Sequence, residues 1–356
     1  MRELRQVPLA TLTTLRVGGP ARRVVDIESD KELEDMLFAA DCESDPVFVL
    51  GGGSNVIVSD TGWPGTILRP AIRRIEKKRS GDDILLRVGA GEVWDDVVAA
   101  CVGEGWAGLA CLSGIPGWVG AAPIQNIGAY GHEVGQVLVE VRAFDRHARK
   151  FVSFAAAECS LGYRNSRFRS HDRHVITELT LRLGANGGEA IRYPELARAL
   201  GVEEGASVPP DRAREVVLEL RRGKGMVVDE ADPESRSAGS FFVNPVVDPT
   251  TLRHVEACAV RRGVVADGSH VPRYPTSDGH FKVPAAWLIE QAGFRKGMTL
   301  GGVGISQKHA LALVNRGGTA TDLLLLEETI RQGVREVFGV ELRREPIYVR
   351  FDDPDA

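Results

Sequence analysis

The hydrophobic positions in the first half of the chain change period repeatedly. Residues 21–27 (ARRVVDI) predict a strand, and 30–40 (DKELEDMLFAA) predict an amphipathic helix with an acidic first turn. A short apolar strand at 46–50 (PVFVL) runs into Gly51-Gly52-Gly53-Ser54-Asn55, and further strands follow at 56–59 and 66–68. Residues 84–88 (ILLRV) and 93–104 (VWDDVVAACVGE) predict one more strand and helix. The second half predicts helices at 211–222, 249–262, 283–292 and 321–338, then a terminal strand at 345–351. Two junctions interrupt this pattern. At 183–189 (LGANGGE) two adjacent Gly end a clear strand, and 201–210 (GVEEGASVPP) closes on a Pro pair unsuited to a helix interior or a central strand. Between them lies a helix-like piece, PELARAL. These breaks predict a first domain over 1–184, a linking segment over 185–210 and a second domain over 211–344, with the stretch 345–356 packing back on the first. Strands and helices mixed in two blocks argue for an α+β fold rather than a doubly wound sheet.

Composition narrows the functional classes. The 356 residues are 43% hydrophobic and 26% charged, enough apolar content for a sizeable core and too much for disorder. A net charge of -5 supplies no overall basic field, so neither nucleic acid nor an anionic membrane is an expected partner. No apolar run approaches the roughly 18 residues of a spanning helix, and the first residues carry no apolar core of signal-peptide length. A cytoplasmic monomer is expected. Five Cys, at 42, 101, 111, 159 and 258, are odd in number and scattered, so free thiols are expected, with no disulfide framework and no metal site.

Two glycine-rich segments carry the first chemical signal. In LGGGSN, consecutive Gly let the backbone approach a ligand closely and aim several N–H groups at one anion. A dinucleotide fingerprint of the Rossmann kind requires a helix after the loop, whereas VIVSD reads as a strand. The segment 113–131, SGIPGWVGAAPIQNIGAYG, is too irregular for a helix and too apolar for a solvated loop. It suits backbone packed around a flat or extended ligand, with Gln125 and Asn126 offering polar contacts. Two such loops in one domain favour an extended dinucleotide.

These segments resemble the FAD-binding domain of the vanillyl-alcohol-oxidase (PCMH) type and, within it, the UDP-N-acetylenolpyruvoylglucosamine reductase family. The resemblance runs from TTLRVGG at 13–19 to the terminal strand. It implies non-covalent FAD held by Leu50, Gly51, Gly52, Gly53, Ser54 and Asn55 of the first loop. From the second it implies Ser113, Gly114, Ile115, Pro116, Gly117, Gly120, Ala121, Gln125, Asn126, Gly128, Ala129 and Tyr130. NADPH is the implied hydride donor, and the enolpyruvyl ether of UDP-N-acetylglucosamine is the implied substrate.

The same resemblance assigns the chemistry. Arg164 in LGYRNSRF matches the family's active-site arginine, Ser240 in SAGSFFVNP its proton donor, and Glu345 in LRRE its terminal glutamate. The family usually has Pro directly before that glutamate. Here Arg344 precedes it and Pro346 follows, leaving Glu341 as the nearby competing carboxylate. Tyr193, Arg221, Lys224, Asn244, Tyr274, Lys296 and His309 match substrate-binding positions, and some members carry Gln at the His309 position. The tyrosine-bearing loop marks the longer, type I reductases. Only 8 of the 44 basic residues are Lys, which gives weight to Lys224 and Lys296 falling at matched positions. Two other classes stay open on the residues alone. One is an oxidase on the same fold, although no His or Cys lies within either loop to bind FAD covalently. The other is a binding protein without turnover.

Overall fold

The structure is a computed structural model and describes residues 1–169 and 171–350. Strand β1 (Arg2–Pro8) runs antiparallel to β2 (Pro20–Ile27), and helix α1 (Asp30–Glu43) then crosses to β3 (Val47–Val49). Beyond the short β4 (Val56–Val58), strand β5 (Trp63–Pro70) inserts between β2 and β3, parallel to both. Parallel strands in one sheet need a crossover, and α1 supplies the one from β2 to β3, leaving the place between them for β5. The Ser29 hydroxyl accepts from the Glu32 N–H at 3.3 Å to start this helix. Its Leu33, Met36, Leu37 and Ala40 fall on one face, packed with Val25, Ile27 and Leu68.

A second sheet is wholly antiparallel and has five strands. From one edge it runs Lys150–Ala155, Leu138–Asp145, His174–Gly184, β7 (Asp83–Gly89) and β6 (Ile75–Ser80). Strand β6 (IEKKRS) is exposed at every position, so it has no alternation to detect. Its charged side chains blunt an open sheet edge. Helix α2 (Trp94–Gly103) packs Trp94, Val97 and Val98 into the core against this sheet, and the Trp94 indole N–H donates to the Leu112 carbonyl at 3.1 Å.

That core extends past the expected domain boundary. Helices α3 (Pro194–Leu200) and α4 (Pro210–Gly223) bury Leu196, Leu200, Ala213 and Val217 with Trp94, Leu109 and Leu181. The segment 185–210 is therefore not a free linker, and the helix expected to open the second domain belongs to the first core. The Pro pair does not break structure here. Pro210 occupies the first turn of α4, where its missing N–H costs nothing.

A separate core gathers Phe241, Phe242, Val255, Leu288, Leu323, Ile330, Val334 and Phe338 from α5 (Pro249–Arg261), α6 (Ala285–Gln291), α7 (Ala320–Phe338) and the chain before them. Leu15, Val17 and Ile57 of the N-terminal part join it, so the two parts share apolar contacts. The chain then returns: strand Ile347–Val349 pairs in parallel with β4, Ile347 opposite Val56 and Val349 opposite Val58. Of the strand expected at 345–351, residues 347–349 form it, and the stretch 351–356 lies outside the described residues.

One buried carboxylate fixes the segment that precedes Ser240. Glu234 accepts from the Ser306 hydroxyl at 2.7 Å, the Gln307 N–H at 2.6 Å and the Arg316 guanidinium at 2.7 Å. Burial alone would raise its pKa, but these donors hold it below the ordinary carboxylate range. Glu234→Ala should destabilise the protein by about 1–3 kcal/mol, because the buried Ser306 hydroxyl and the partly buried Arg316 would lose their shared acceptor. Denaturant melts of the two proteins check this, and a loss below roughly 1 kcal/mol would show the network to be solvent-screened.

Candidate active site

The two glycine loops meet at one wall of a cavity of about 950 Å³, near the upper end of the range for small-ligand sites. They are in backbone contact. A Cβ on Gly52 would sit 2.6 Å from the Gly117 Cα, and one on Gly53 (φ 65°) would sit 1.9 Å from the Leu12 carbonyl oxygen. Only Gly fits at either position. The Ser54 hydroxyl donates to the Pro116 carbonyl at 3.0 Å and stitches the loops together. Among the described residues, no group accepts from the N–H groups of residues 51–55. Five free donors in succession suit a diphosphate. A buried Arg221, whose Nε also lacks a partner among the described residues, adds a cation to the same cavity. These features fit the FAD that the sequence implies.

Most of the expected residues reach the cavity. Leu50, Gly51, Gly52, Gly53, Ser54 and Asn55 line it, as do Ile115, Pro116, Gly120, Ala121, Gln125, Gly128, Ala129 and Tyr130. Four others stand behind the wall. Ser113 is fully buried and its hydroxyl donates to the Ala110 carbonyl at 2.7 Å. The Gly114 N–H donates to Asp95 at 2.6 Å, and Gly117 lies under Gly52. The Asn126 amide donates to Glu133 at 2.7 Å and the Gly162 carbonyl at 3.1 Å, and its oxygen accepts from the Gly135 N–H at 2.9 Å. Its hydrogen-bonding capacity goes into shaping the loop. Asn126, Tyr130 and Arg164 all hold left-handed backbone, with φ of 45°, 49° and 53°. Such conformations cost roughly 1–2 kcal/mol each in non-Gly residues and persist where the surroundings enforce them.

The three expected catalytic residues all line the cavity. Arg164 Nε lies 3.0 Å from Glu345 Oε1, and its Nη2 donates to the Gly128 carbonyl at 2.9 Å. Glu345 is buried. Burial pushes its carboxyl pKa up, against the opposing pull of Arg164 and Arg169. Chain pairing brings Ser240 alongside: the Glu345 N–H donates to the Phe241 carbonyl at 2.8 Å, and the Val243 N–H donates to the Arg343 carbonyl at 2.9 Å. Glu341, the competing carboxylate, instead meets Arg331 at 2.7 Å on the surface.

The substrate-side residues divide. Tyr193, Arg221, Lys224, Asn244, Tyr274 and His309 line the cavity, whereas the exposed Lys296 does not. Lys224 is 2.6 Å from Glu195, and Tyr193 meets Tyr130 edge-on at 5.7 Å. Burial pushes the Tyr130 hydroxyl up to about 12. Burial, reinforced by Lys224 and Lys296, pushes His309 down to about 4, so its ring is neutral near pH 7. The Asn244 side-chain oxygen accepts from the Ala285 N–H at 2.9 Å at the start of α6, and the Asn244 side chain also hydrogen-bonds the Tyr163 hydroxyl.

Sequence reasoning missed Tyr163, Glu195 and Lys282, which also line the cavity. Lys282 Nζ sits 3.9 Å over the Tyr163 ring, and burial lowers its pKa. The scarcity of Lys that drew attention to Lys224 could have drawn it to Lys282. Sequence spacing also gave no sign that Cys111, His132 and Glu189 are buried together within 4.8 Å. His132 Nδ1 faces Glu189 at 3.4 Å and its Nε2 meets the Ala190 carbonyl at 2.6 Å, tying the second glycine segment to residues 189–190.

Comparison with known proteins follows the same two-part division. Residues 21–149 match the model of an FAD-binding domain, and residues 232–349 match the C-terminal domain of UDP-N-acetylenolpyruvoylglucosamine reductase. The protein of that name from Thermobifida fusca is 47% identical over 350 residues, covering 97% of both chains. Its Streptomyces avermitilis counterpart is 46% identical over 353 residues, covering 98% of this chain and 95% of the other. The crystal structure of UDP-N-acetylenolpyruvylglucosamine reductase from Thermus caldophilus superimposes with a TM-score of 0.64 at 26% identity, over 98% of this chain and 99% of that one. A glycine-walled cavity facing an arginine–glutamate pair, both family models in order and relatives matched along their whole length make this chain a member of the UDP-N-acetylenolpyruvoylglucosamine reductase family.

Proposed function

We propose that the chain reduces the enolpyruvyl ether of UDP-N-acetylglucosamine to UDP-N-acetylmuramate, with NADPH as donor, as a cytoplasmic type I enzyme of peptidoglycan precursor synthesis. The observation that carries this reading is the Arg164–Glu345 pair at 3.0 Å on the cavity wall, with Ser240 on the strand-like segment beside Glu345. FAD, held by residues 50–55 and the cavity-lining part of the second glycine segment on a fold of the vanillyl-alcohol-oxidase type, supplies two-electron hydride transfer from NADPH to the vinyl C3. The remaining work falls to side chains of this protein.

As C3 gains hydride, negative charge develops at C2 and spreads into the attached carboxylate. Arg164 offers a fixed cation to that carboxylate without reorganisation. Glu345, whose carboxyl pKa burial raises, lies beside Arg164 and in its protonated form would donate a hydrogen bond to the same developing charge. Ser240 delivers the proton that C2 finally needs. A serine hydroxyl is a weak acid, so its placement at the site must supply the advantage. Away from the reacting carbons, Lys224 and Arg221 suit the substrate diphosphate, and Asn244 adds a polar side chain to the same cavity. Tyr193 and Tyr274 offer hydroxyl donors there, and Lys296 acts from outside the wall through its field. His309 is neutral, so it contributes a donor and an acceptor but no charge.

Two experiments test these assignments. Ser240→Ala should leave flavin reduction by NADPH nearly intact, since that step protonates no carbon. Reoxidation by the enolpyruvyl substrate should slow by ~10²–10⁴-fold, the usual loss for a positioned general acid. Stopped-flow absorbance at the flavin band follows the two steps separately, and equal slowing of both would mean that the serine only supports the loop.

The second concerns acid stability. His309 binds its proton less readily in the folded chain than in the unfolded one. Its contribution to stability is complete above pH 6.5 and is lost progressively as pH falls toward about 4. His309→Gln should remove that part of the acid slope, worth roughly 2–3 kcal/mol between the two limits. Melting temperatures measured from pH 7 to pH 4 decide it: parallel curves for both proteins would locate the proton uptake elsewhere.

A further inference from the structure

We propose that Arg169 is a positioning residue for the reaction, a single guanidinium that fixes the backbone of Arg164 and of Glu345 relative to each other. The inference rests on the functional reading above and concerns a residue that does not line the cavity. Arg169 Nη2 donates to the Glu345 carbonyl at 2.9 Å. Its Nη1 donates to the Arg164 carbonyl at 3.2 Å and reaches the Gln125 side-chain oxygen at 3.4 Å. One planar group thus touches the second glycine segment and the backbones of both charged residues.

The contact matters because neither partner is held by a regular element. Arg164 lies in the irregular LGYRNSRF turn with φ of 53°, a conformation that costs free energy unless it is enforced. The turn is closed by reciprocal bonds between Gly162 and Asn165 at 3.0 and 3.1 Å, and it is anchored by the Ser166 hydroxyl donating to the Ile124 carbonyl at 2.7 Å. Glu345 precedes the strand that pairs with β4, and its N–H is bonded to Phe241. Arg169 joins these two anchored pieces across the site. The Asn55 amide supports the same junction, donating to the Gln125 side-chain oxygen and to the Glu345 carbonyl at 3.3 Å. Lys would not hold this join in the same geometry, because a guanidinium presents its donors in a rigid fork and an ammonium on a flexible stem does not.

Arg169 also has an electrostatic effect on Glu345. Among the described residues, the charged and titratable groups facing that carboxyl are Arg164, Arg169 and Tyr163. Burial raises the Glu345 pKa and the Arg169 charge opposes the rise, so removing the charge must move it further up.

Three variants of the flavin-loaded protein, R169Q, R169K and E345Q, test the proposal. In R169Q, flavin content, flavin reduction by NADPH and the dissociation constant of the enolpyruvyl substrate should stay near wild type. Substrate reduction should slow by about 10²-fold, the cost of misplacing a catalytic group by roughly 1 Å. Its pH profile should also shift, with the limb belonging to Glu345 moving to higher pH. R169K keeps the charge without the fork, so it should slow the same step while leaving that limb in place. Full activity in R169K, or equal slowing of both steps with loss of flavin in R169Q, would overturn the clamp. E345Q separates the two levels of argument. If E345Q slows substrate reduction and R169Q does not, only the positioning role fails; if E345Q has no effect, the functional reading fails and the positioning role falls with it.

Discussion

A buried carboxylate beside an arginine is the constraint on which the rest of the architecture turns. Removing charge from water costs several kcal/mol per ion, and an ion pair repays this only when geometry is good and the remaining donors and acceptors are satisfied. Arg164, from the middle of the chain, and Glu345, from its last segment, come within 3.0 Å, although the buried Arg164 Nε makes no well-aligned hydrogen bond among the described residues. The glycine segment accepts the Arg164 guanidinium at Gly128, and the segment after Ser240 accepts the Glu345 N–H. The terminal strand must pair with β4, beside the first glycine loop, for Glu345 to arrive at all. The shared core of Leu15, Val17 and Ile57 with Phe241 and Phe338 is the apolar consequence of the same closure.

Much of this was legible in the chain, and the reasons differ by element. Helices α1, α5 and α7 carry their apolar residues at helical spacing behind side-chain caps, so local pattern and final packing agree. Strand β6 was invisible because a fully exposed edge has no alternation. Helix α4 was seen as a helix but assigned to the wrong core. Its stripe of Ala213 and Val217 states that it is buried, not against what. The Pro pair looked like a boundary because a helix start and a helix break use the same residue.

The site divides in the same way. Motif positions that line the cavity, such as Gly51–Asn55 and Arg164, could be read by resemblance. The division between residues lining the wall and residues building it could not. Ser113 and Asn126 sit within the motif yet spend their polar groups on the chain itself. Lys282 and Arg169 lie outside any recognised pattern because their value comes from contacts across long sequence distances. Propensity and spacing carry no information about such contacts.

The pairing of Lys224 with Glu195 has a consequence for how an anion enters. At 2.6 Å the ammonium already has a counter-ion, so an anion binding there would not neutralise a bare charge but would take the place of a carboxylate. Recognition at this corner is an exchange between two anions, and its net strength is the difference between two attractions of similar size. Glu195 lies in the first turn of α3 and Tyr193 is that helix's N-cap residue, so the carboxylate that holds Lys224 and the ring that rests against Tyr130 leave the same helix start. The counter-ion of one lysine and an aromatic edge of the cavity are thereby set on one turn of chain.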